Sequence, residues 1–227
     1  MIFFKKPPAN PEVFYFACLM LKVKDLVFGW PGSATMRFPD FQVNAGQAML
    51  LLGGSGSGKT TLLHIIGGLL RPASGIVLLQ EAGVHSIHGS QIDAWRGKHI
   101  GFIFQKHYLL PSLTVKQNLQ TPGWLSGTEV SSEEISIMLE NLGLSEKAES
   151  FPDQLSYGQQ QRLAIGRALI NKPDLILADE PTSALDDKNC MRVIDLLMNL
   201  CSRNGTGLLV ATHDHRLKQA IPDYIEL

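Results

Sequence analysis

A glycine-rich loop between two apolar segments constrains the fold of this chain more than any other part of the sequence. Residues 53–60 read Gly-Gly-Ser-Gly-Ser-Gly-Lys-Thr and match the pattern G-x-x-x-x-G-K-[ST] in full. The glycines allow successive backbone N–H groups to face a phosphate, and a helix that begins at the end of the loop adds the positive end of its dipole. The residues predicted to bind a nucleotide are therefore Gly53, Gly54, Ser55, Gly56, Ser57, Gly58, Lys59, Thr60 and Thr61.

The last two residues of the loop carry its specific chemistry. Lys59 is expected to bridge oxygens of the β- and γ-phosphates, and the Thr60 hydroxyl to ligate Mg²⁺. Two other interpretations are a flexible glycine loop and a dinucleotide-binding fingerprint that includes Gly54 and Gly56. Lys59 and Thr60 stand between the apolar run Ala48–Leu52 and an apolar helix, which argues against both. We therefore predict that the chain binds Mg²⁺-ATP and hydrolyses it.

A second apolar run ends in two acidic residues. Residues 175–178 are Leu-Ile-Leu-Ala, and Asp179 and Glu180 follow directly. Parallel sheets bind ligands at the carboxyl ends of their strands. Asp179 is therefore expected to hold Mg²⁺, directly or through water, and Glu180 to act as the general base for the attacking water. A solvated strand end would also carry acids, but a phosphate loop on another strand of the same predicted sheet argues against that interpretation.

Hydrophobic patterns predict strands on both sides of these motifs. Residues 48–52, 175–178 and 208–211 are continuous apolar runs, as in strands that are buried on both faces of a parallel sheet. Residues 21–26 alternate as a half-buried strand does, and residues 36–43 suggest a second short strand.

Helical patterns fill the regions between these strands. We predict a helix over residues 61–70 and another over about 187–202. Ser131 and Glu134 form a capping-box pattern before apolar residues at helical spacing. The sequence therefore predicts an α/β fold: a P-loop NTPase core with a mostly parallel sheet, a small antiparallel β subdomain, and a mostly helical insertion at about residues 106–165.

Composition limits the partners and the compartment. The chain has 20 Lys and Arg against 21 Asp and Glu, so no net positive field favours nucleic acid. Cys18, Cys190 and Cys201 lack metal-ligand spacing and are expected to be reduced thiols, the last two packed in the core. No segment approaches the roughly 20 apolar residues of a membrane span, so we expect a cytosolic chain that acts on a membrane through a partner. Residues 1–19 are interpreted as an N-terminal extension or a misassigned start, and residues 20–227 as one ATP-binding domain.

A serine- and glycine-containing motif precedes the acidic strand end. Residues 155–162 read Leu-Ser-Tyr-Gly-Gln-Gln-Gln-Arg and predict a loop followed by a helix. Alone this would be a capped helix with a second anion-binding N-terminus. In order with the other motifs, it makes residues 20–227 resemble the ATP-binding subunits of ABC transporters.

The resemblance assigns this motif to the opposite subunit of a dimer. In the family the signature motif clamps the γ-phosphate of the ATP that the other subunit holds, which implies contacts from Ser156, Gly158 and Gln159. The family carries glycine where this chain has Tyr157. We expect the tyrosine ring to project away from the phosphates, toward the dimer interface or the helical insertion, because the backbone there must approach them closely.

Four further residues match single positions of the family. Gln105 resembles the glutamine that contacts Mg²⁺ and the lytic water and relays to the membrane partner. Asp186 ends a Ser-Ala-Leu-Asp loop that crosses the dimer interface, and His213 resembles the switch histidine at the γ-phosphate. Trp30 stands where the family usually has a tyrosine stacked on adenine, with Phe28 as the alternative.

The resemblance also implies partners and a location. Residues 100–113 and the Thr-Val-Lys-Gln-Asn that follows are most similar to the lipoprotein-release and macrolide-export type. This implies ATP and Mg²⁺, a transmembrane permease subunit as partner, and a homodimer or a dimer with a homologous ATPase. The location implied is the cytoplasmic face of the inner (plasma) membrane, with residues 108–111 in the docking groove and no accessory domain after Leu227.

Two other functions remain open from the residues alone. The same ATPase could regulate a cell-envelope or division machine without transport. A P-loop phosphotransferase would need an acceptor site and a lid of arginines, whereas Arg162 and Arg167 belong to the predicted helix after Ser156.

Overall fold

The computed structural model describes residues 19–32, 34–87, 89, 91–183 and 187–227. Within these residues the strands are β1 (Leu19–Phe28), β2 (Met36–Arg37), β3 (Phe41–Asn44), β4 (Ala48–Leu52), β5 (Ser74–Leu79), β6 (Ala82–Gly83), β7 (Ile100–Ile103), β8 (Leu175–Asp179), β9 (Gly207–Thr212) and β10 (Tyr224–Glu226). The helices are α1 (Lys59–Ile66), α2 (Gln91–His99), α3 (Val115–Ser126), α4 (Ser132–Asn141), α5 (Tyr157–Leu169) and α6 (Asp187–Asn204). Short 3₁₀ turns lie at Val84–Ser86, Ser145–Lys147, Pro152–Gln154 and His215–Gln219.

A five-stranded parallel sheet forms the centre of the molecule. Its strand order is β10-β4-β9-β8-β7, and every neighbouring pair is parallel. The three predicted central strands are confirmed as β4, β8 and β9, and their apolar residues are buried because helices cover both faces. All five strands end at the same edge of the sheet, so the glycine-rich loop after β4 and the acids after β8 meet there.

A smaller antiparallel sheet packs beside the first. Strand β1 pairs with β2, β3 and β5, and β5 continues to β6. The predicted half-buried strand at residues 21–26 is confirmed within β1. The single strand predicted over residues 36–43 is wrong, because the chain forms two strands with Pro39 between them. Pro39 lacks a backbone N–H, and beside it the Phe38 N–H donates to the Leu26 carbonyl at 3.0 Å.

Helices α3, α4 and α5 share an apolar core of their own. That core includes Val115, Leu119, Ile135 and Leu163, all buried. The predicted capping box before α4 is confirmed: Ser131 and Glu134 exchange hydrogen bonds between side chain and backbone. Thr114 and Gln117 form a second capping box before α3.

The ends of two helices differ from the sequence-based boundaries. Helix α1 ends at Ile66 instead of residue 70, because Gly68 takes a φ of +68° and the N–H groups of Leu69 and Leu70 turn back to the His64 carbonyl. Helix α6 runs to Asn204, two residues beyond its predicted end.

Two of the three cysteines pack against the central sheet. Cys190 and Cys201 are buried in the core that α6 shares with it, which confirms their predicted packing. Burial raises the pKa of the Cys201 thiol to about 12. Cys18 and the rest of the predicted N-terminal extension up to residue 18 lie outside the described residues. Among the helices of the described part, none is long and apolar enough to cross a membrane.

Candidate ATP-binding and hydrolysis site

The loop after β4 has three glycines that no larger residue could replace without strain. Gly58 is the N-terminal residue before α1 and has a φ of +99°. A Cβ at Gly53 would lie 2.5 Å from the Ser57 hydroxyl and 2.9 Å from the Leu227 carbonyl. Gly56 also has a positive φ, of +82°. The glycines therefore permit the tight path that returns the chain to the start of the helix.

The Lys59 ammonium lies inside the curve of this loop. Its Nζ donates to the carbonyls of Gly53 at 2.8 Å and Gly54 at 3.0 Å. It also lies 3.9 Å from Oε1 of Glu180, and only 7% of its side chain is exposed. The positive charge of Lys59 is thus held between the backbone of the loop and Glu180, which directly follows β8.

Thr60 and Asp179 meet across the sheet edge. The Thr60 hydroxyl donates to Oδ2 of Asp179 at 2.7 Å, which joins two residues 119 positions apart. The other carboxylate oxygen, Oδ1, is buried and has no hydrogen-bond partner within the described part of the chain. Burial raises the pKa of Asp179, and the hydrogen bond from Thr60 partly opposes that rise. A hydroxyl and a carboxylate are hard oxygen ligands of the kind that Mg²⁺ takes, so these residues fit a magnesium ion.

The Glu180 carboxylate is held by Thr212, the last residue of β9, and by His213, which follows it. Its Oε1 accepts a hydrogen bond from the His213 N–H at 3.1 Å and lies 2.8 Å from His213 Nδ1. Its Oε2 accepts from the Thr212 hydroxyl at 3.1 Å. Glu180 itself has a φ of +48°, in the left-handed region that few non-glycine residues adopt. Both carboxylate oxygens are thus fixed, and 13% of the side chain remains exposed.

These groups line one open cleft of about 720 Å³. The lining includes Trp30, two residues after β1, Met36 of β2, and Gln105, two residues after β7. The predicted site residues that share this cleft are Trp30, Gly54, Ser55, Gly56, Gly58, Lys59, Thr60, Thr61, Gln105, Asp179, Glu180 and His213. Gly53 and Ser57 belong to the same loop but do not line this cleft.

The two aromatic candidates for adenine stacking have different environments. Phe28 is 6% exposed and belongs to the core, whereas Trp30 is 50% exposed and lines the cleft. Their rings meet edge to face, with centroids 5.0 Å apart and planes at 88°. Of the two, the structure therefore favours Trp30 as the stacking residue.

Ser156, Gly158 and Gln159 lie outside this cleft, at the N-terminus of α5. Ser156 accepts a hydrogen bond from the Gln159 N–H at 3.3 Å, and the Gln159 side chain returns one to the Ser156 N–H at 2.9 Å. Among the described residues, a Cβ at Gly158 would meet no atom closer than the Arg162 guanidinium, at 3.9 Å. Packing within this part of the chain therefore does not require glycine at position 158.

Tyr157 directs its ring into the region that precedes α3. Its ring centroid is 4.7 Å from that of His107. His107 belongs to the predicted insertion, so this contact matches the expected direction toward the insertion. Asp186 lies outside the described residues, as do the two residues before it; Ser183, at the start of that loop, is described and donates its N–H to the Glu180 carbonyl at 3.2 Å.

The pairing of Glu180 with Thr212 and His213 is the part of the site that the sequence analysis missed. Glu180 lies more than 30 positions before the other two residues, and the parallel pairing of β8 with β9 brings them together. Thr212 stands at the end of a buried strand beside a predicted site residue, which is the one sequence signal that pointed to it.

A family model described as "ABC transporter" matches residues 37–183, which is well over half of the chain. This chain belongs to the ABC transporter family. The lipoprotein-releasing system ATP-binding protein LolD of Shewanella oneidensis is 42% identical over 180 residues, which are 78% of each chain. The LolD protein of Psychrobacter arcticus is 45% identical over 182 residues, which are 78% of this chain and 80% of that one.

A solved structure of the family has the same fold. The dimeric structure of MJ0796, a bacterial ABC transporter cassette, is 35% identical, covers 92% of this chain and 94% of its own, and has a TM-score of 0.79. A second structure of that cassette is a dimeric post-hydrolysis state bound to ADP and Pi. The predicted fold class is thereby confirmed. The chain is an ATP-hydrolysing subunit that powers an ABC transporter, is of the lipoprotein-release type, and dimerises.

Proposed function

We propose that two copies of this subunit bind two Mg²⁺-ATP molecules head to tail and drive a membrane protein that releases lipoproteins from the outer face of the inner membrane. The binding and hydrolysis of Mg²⁺-ATP are supported by one observation. Four residues come together at one edge of the parallel sheet: Lys59, Thr60, Asp179 and Glu180. The name of the relatives, a lipoprotein-releasing system, supports the substrate class.

Different residues of the cleft are assigned to magnesium binding and to phosphate binding. Thr60 and Asp179 would hold Mg²⁺, with Gln105 at the side of the cleft, and the ion would neutralise charge on the β- and γ-phosphates. Lys59 can leave the carbonyls of Gly53 and Gly54 for the phosphate oxygens, which are stronger acceptors because they are charged.

Glu180 is assigned the role of general base. Its carboxylate accepts a proton from water as the water oxygen forms its bond to the γ-phosphorus and the bond to the ADP oxygen breaks. His213 and Thr212 hold the two carboxylate oxygens and so fix the direction in which the carboxylate faces. His213 is also exposed, at 64% of its side chain, and is available to the γ-phosphate as the resemblance implies.

The opposite subunit is proposed to contribute the N-terminus of α5. Ser156 caps this helix, and its first turn presents backbone N–H groups that suit an anion. Glycine at 158 is not needed by packing within the described part of the chain, which favours an external reason for it: the close approach of a phosphate held by the partner. Asp186 is proposed to act at the same interface.

An apolar groove beside the cleft is proposed to receive the membrane partner. It has a volume of about 530 Å³ and is lined by Phe104, Leu110 and Leu125 among others. Leu125 is 82% exposed and Leu110 39%, so the groove presents neighbouring apolar side chains to solvent, as interaction sites do. A cytoplasmic segment of a transmembrane permease would cover these side chains and place the subunit at the cytoplasmic face of the inner membrane.

Co-purification tests this function directly. A tagged chain is purified from detergent-solubilised membranes, its partner is identified by mass spectrometry, and ATPase activity of the complex is measured. A partner with several hydrophobic spans supports the proposal, and release of lipoprotein from vesicles by the complex supports the substrate class. Leu125→Asp should abolish co-purification, whereas Ile137→Asp, at a side chain of α4 that is 52% exposed, should not. A partner from a division or envelope-remodelling machine, with no transport, would instead favour the regulatory function.

A further inference from the structure

The N-terminal turn of α5 contacts the segment that follows Gln105 through two aromatic rings. The ring centroids of Tyr157 and His107 are 4.7 Å apart, and the ring planes are inclined at 49°. This distance is within the range of favourable aromatic pairs. Gln160, one turn further along the same helix, lines one cavity together with His107 and Tyr157. Gln160 in turn donates to the Pro152 carbonyl at 2.8 Å, in the loop that leads to Ser156.

The same segment is bound a second time at the other end of α5. Arg167 donates from Nη1 to the Tyr108 carbonyl at 2.6 Å and from Nη2 to the His107 carbonyl at 2.7 Å. Positions 157 and 167 are separated by roughly 15 Å along the helix. Tyr108 has a φ of +47°, a conformation that needs such support in a residue with a side chain. The segment is thus attached to α5 near both ends of the helix.

Gln105 connects this assembly to the ATP cleft. It lines the cleft with Lys59 and Asp179. It also lines a neighbouring cavity of about 590 Å³ together with His107 and Tyr157. Only Lys106 separates Gln105 from His107, and the His107 ring contacts Tyr157. A shift of Gln105 on ATP binding would therefore be passed along this segment to Tyr157.

We propose that Tyr157 is a positioning residue that transmits the state of a subunit's own ATP cleft to the N-terminus of α5, which faces the ATP of the opposite subunit. This inference rests on the proposed head-to-tail dimer and assigns a purpose to the tyrosine at a position where the family carries glycine. The contact between Tyr157 and His107 links the two ATP sites, so that ATP bound by one subunit favours closure of the site it shares with the other.

The test is a double-mutant cycle in the Glu180→Gln background, in which loss of the general base is expected to slow turnover and leave ATP binding intact. The variants are Tyr157→Ala, His107→Ala, the double variant and Tyr157→Phe, and the readouts are ATP-driven dimerisation by light scattering and ATP affinity at low protein concentration. Tyr224→Ala is the matched control, because Tyr224 is 47% exposed against 46% for Tyr157 and lies on β10. Circular dichroism verifies the fold of each variant.

The expected result is specific to a contact between two rings. Tyr157→Ala and His107→Ala should each raise the ATP concentration for half-maximal dimerisation by about two- to tenfold, the double variant no further, and Tyr157→Phe not at all. Monomer affinity for ATP should stay unchanged. Three results would overturn this inference and leave the proposed dimer intact. Tyr157→Ala could dimerise as its parent does, the effects of the two single variants could multiply in the double variant, or the monomer could lose affinity for ATP. Absence of ATP-driven dimerisation in the Glu180→Gln parent would overturn the proposed dimer and this inference with it.

Discussion

Replacing Lys59 by alanine removes the one cationic side chain among residues 53–61. Its Nζ already lies within hydrogen-bond distance of two loop carbonyls, at 2.8 and 3.0 Å, so little rearrangement is needed for it to reach a phosphate on the same loop. A hydrogen bond to a charged group contributes about 1.5–3 kcal/mol, and about 1.4 kcal/mol corresponds to a factor of ten. ATP binding should therefore weaken by roughly 10- to 150-fold.

The fold should survive the same substitution. Gly54 is exposed, so water can hydrate its carbonyl once the ammonium is gone, and the unfolding free energy should fall less than the binding free energy. Calorimetry with Mg²⁺-ATP in the Glu180→Gln background measures affinity without turnover. Lys24→Ala is the control, because Lys24 lies on β1 with 54% of its side chain exposed. Equal ATP affinity of the Lys59→Ala and parent chains would show that the nucleotide binds elsewhere.

Three further predictions follow from the same contacts. Asp179→Asn should raise the Mg²⁺ concentration for half-maximal ATPase activity by about 10- to 100-fold or more, since the amide keeps an acceptor for Thr60 but loses the charge; an unchanged Mg²⁺ titration would contradict the assignment. Asn118→Ala should lower the unfolding free energy by about 2–4 kcal/mol in urea denaturation, because Asn118 is fully buried and its side chain bonds four backbone groups of residues 110–114; a loss below 1 kcal/mol would contradict this account. Cys190 and Cys201 should resist alkylation by iodoacetamide in the native state and react in urea, as mass spectrometry would show; rapid native labelling of either would contradict their burial.

The residues that the sequence predicted best are those whose neighbours in the chain explain them. The loop at residues 53–60 and the acids after β8 follow apolar runs, and burial on both faces of a parallel sheet requires such runs wherever they occur. The capping box at Ser131 is equally local, since its partner is three residues away. These features were therefore predicted together with their positions.

The elements that were missed depend on partners far along the chain. Strand β10 has three residues with exposed or half-exposed side chains and exists because it pairs with β4. Strand β5 begins exposed at Ser74, and its Gly75 lies so near β1 that a Cβ would be 2.4 Å from the Asp25 carbonyl. Helix α2 has no buried residue and therefore shows no apolar stripe in its sequence.

Within the site, too, the features that depend on neighbouring residues could be predicted, and the contacts between distant positions could not. The loop residues that line the cleft could be predicted, because the motif fixes their spacing. The contacts of Thr212 and His213 with the Glu180 carboxylate could not be predicted. They require the register between β8 and β9, in which Asp179 lies opposite Ala211. The contact of Tyr157 with His107 joins positions 50 residues apart and was predicted only as a direction.

The central claim is that this chain closes on ATP as a dimer and hydrolyses it with Glu180. The most direct measurement is the molar mass of purified Glu180→Gln by light scattering, with ATP and Mg²⁺ and without them, beside the ATPase rate of both chains. The account predicts a dimer that forms only with nucleotide, and a turnover rate about 10²- to 10⁴-fold below that of the unmodified chain. A Glu180→Gln chain that stays monomeric with ATP, or that hydrolyses it at the unmodified rate, would contradict the account.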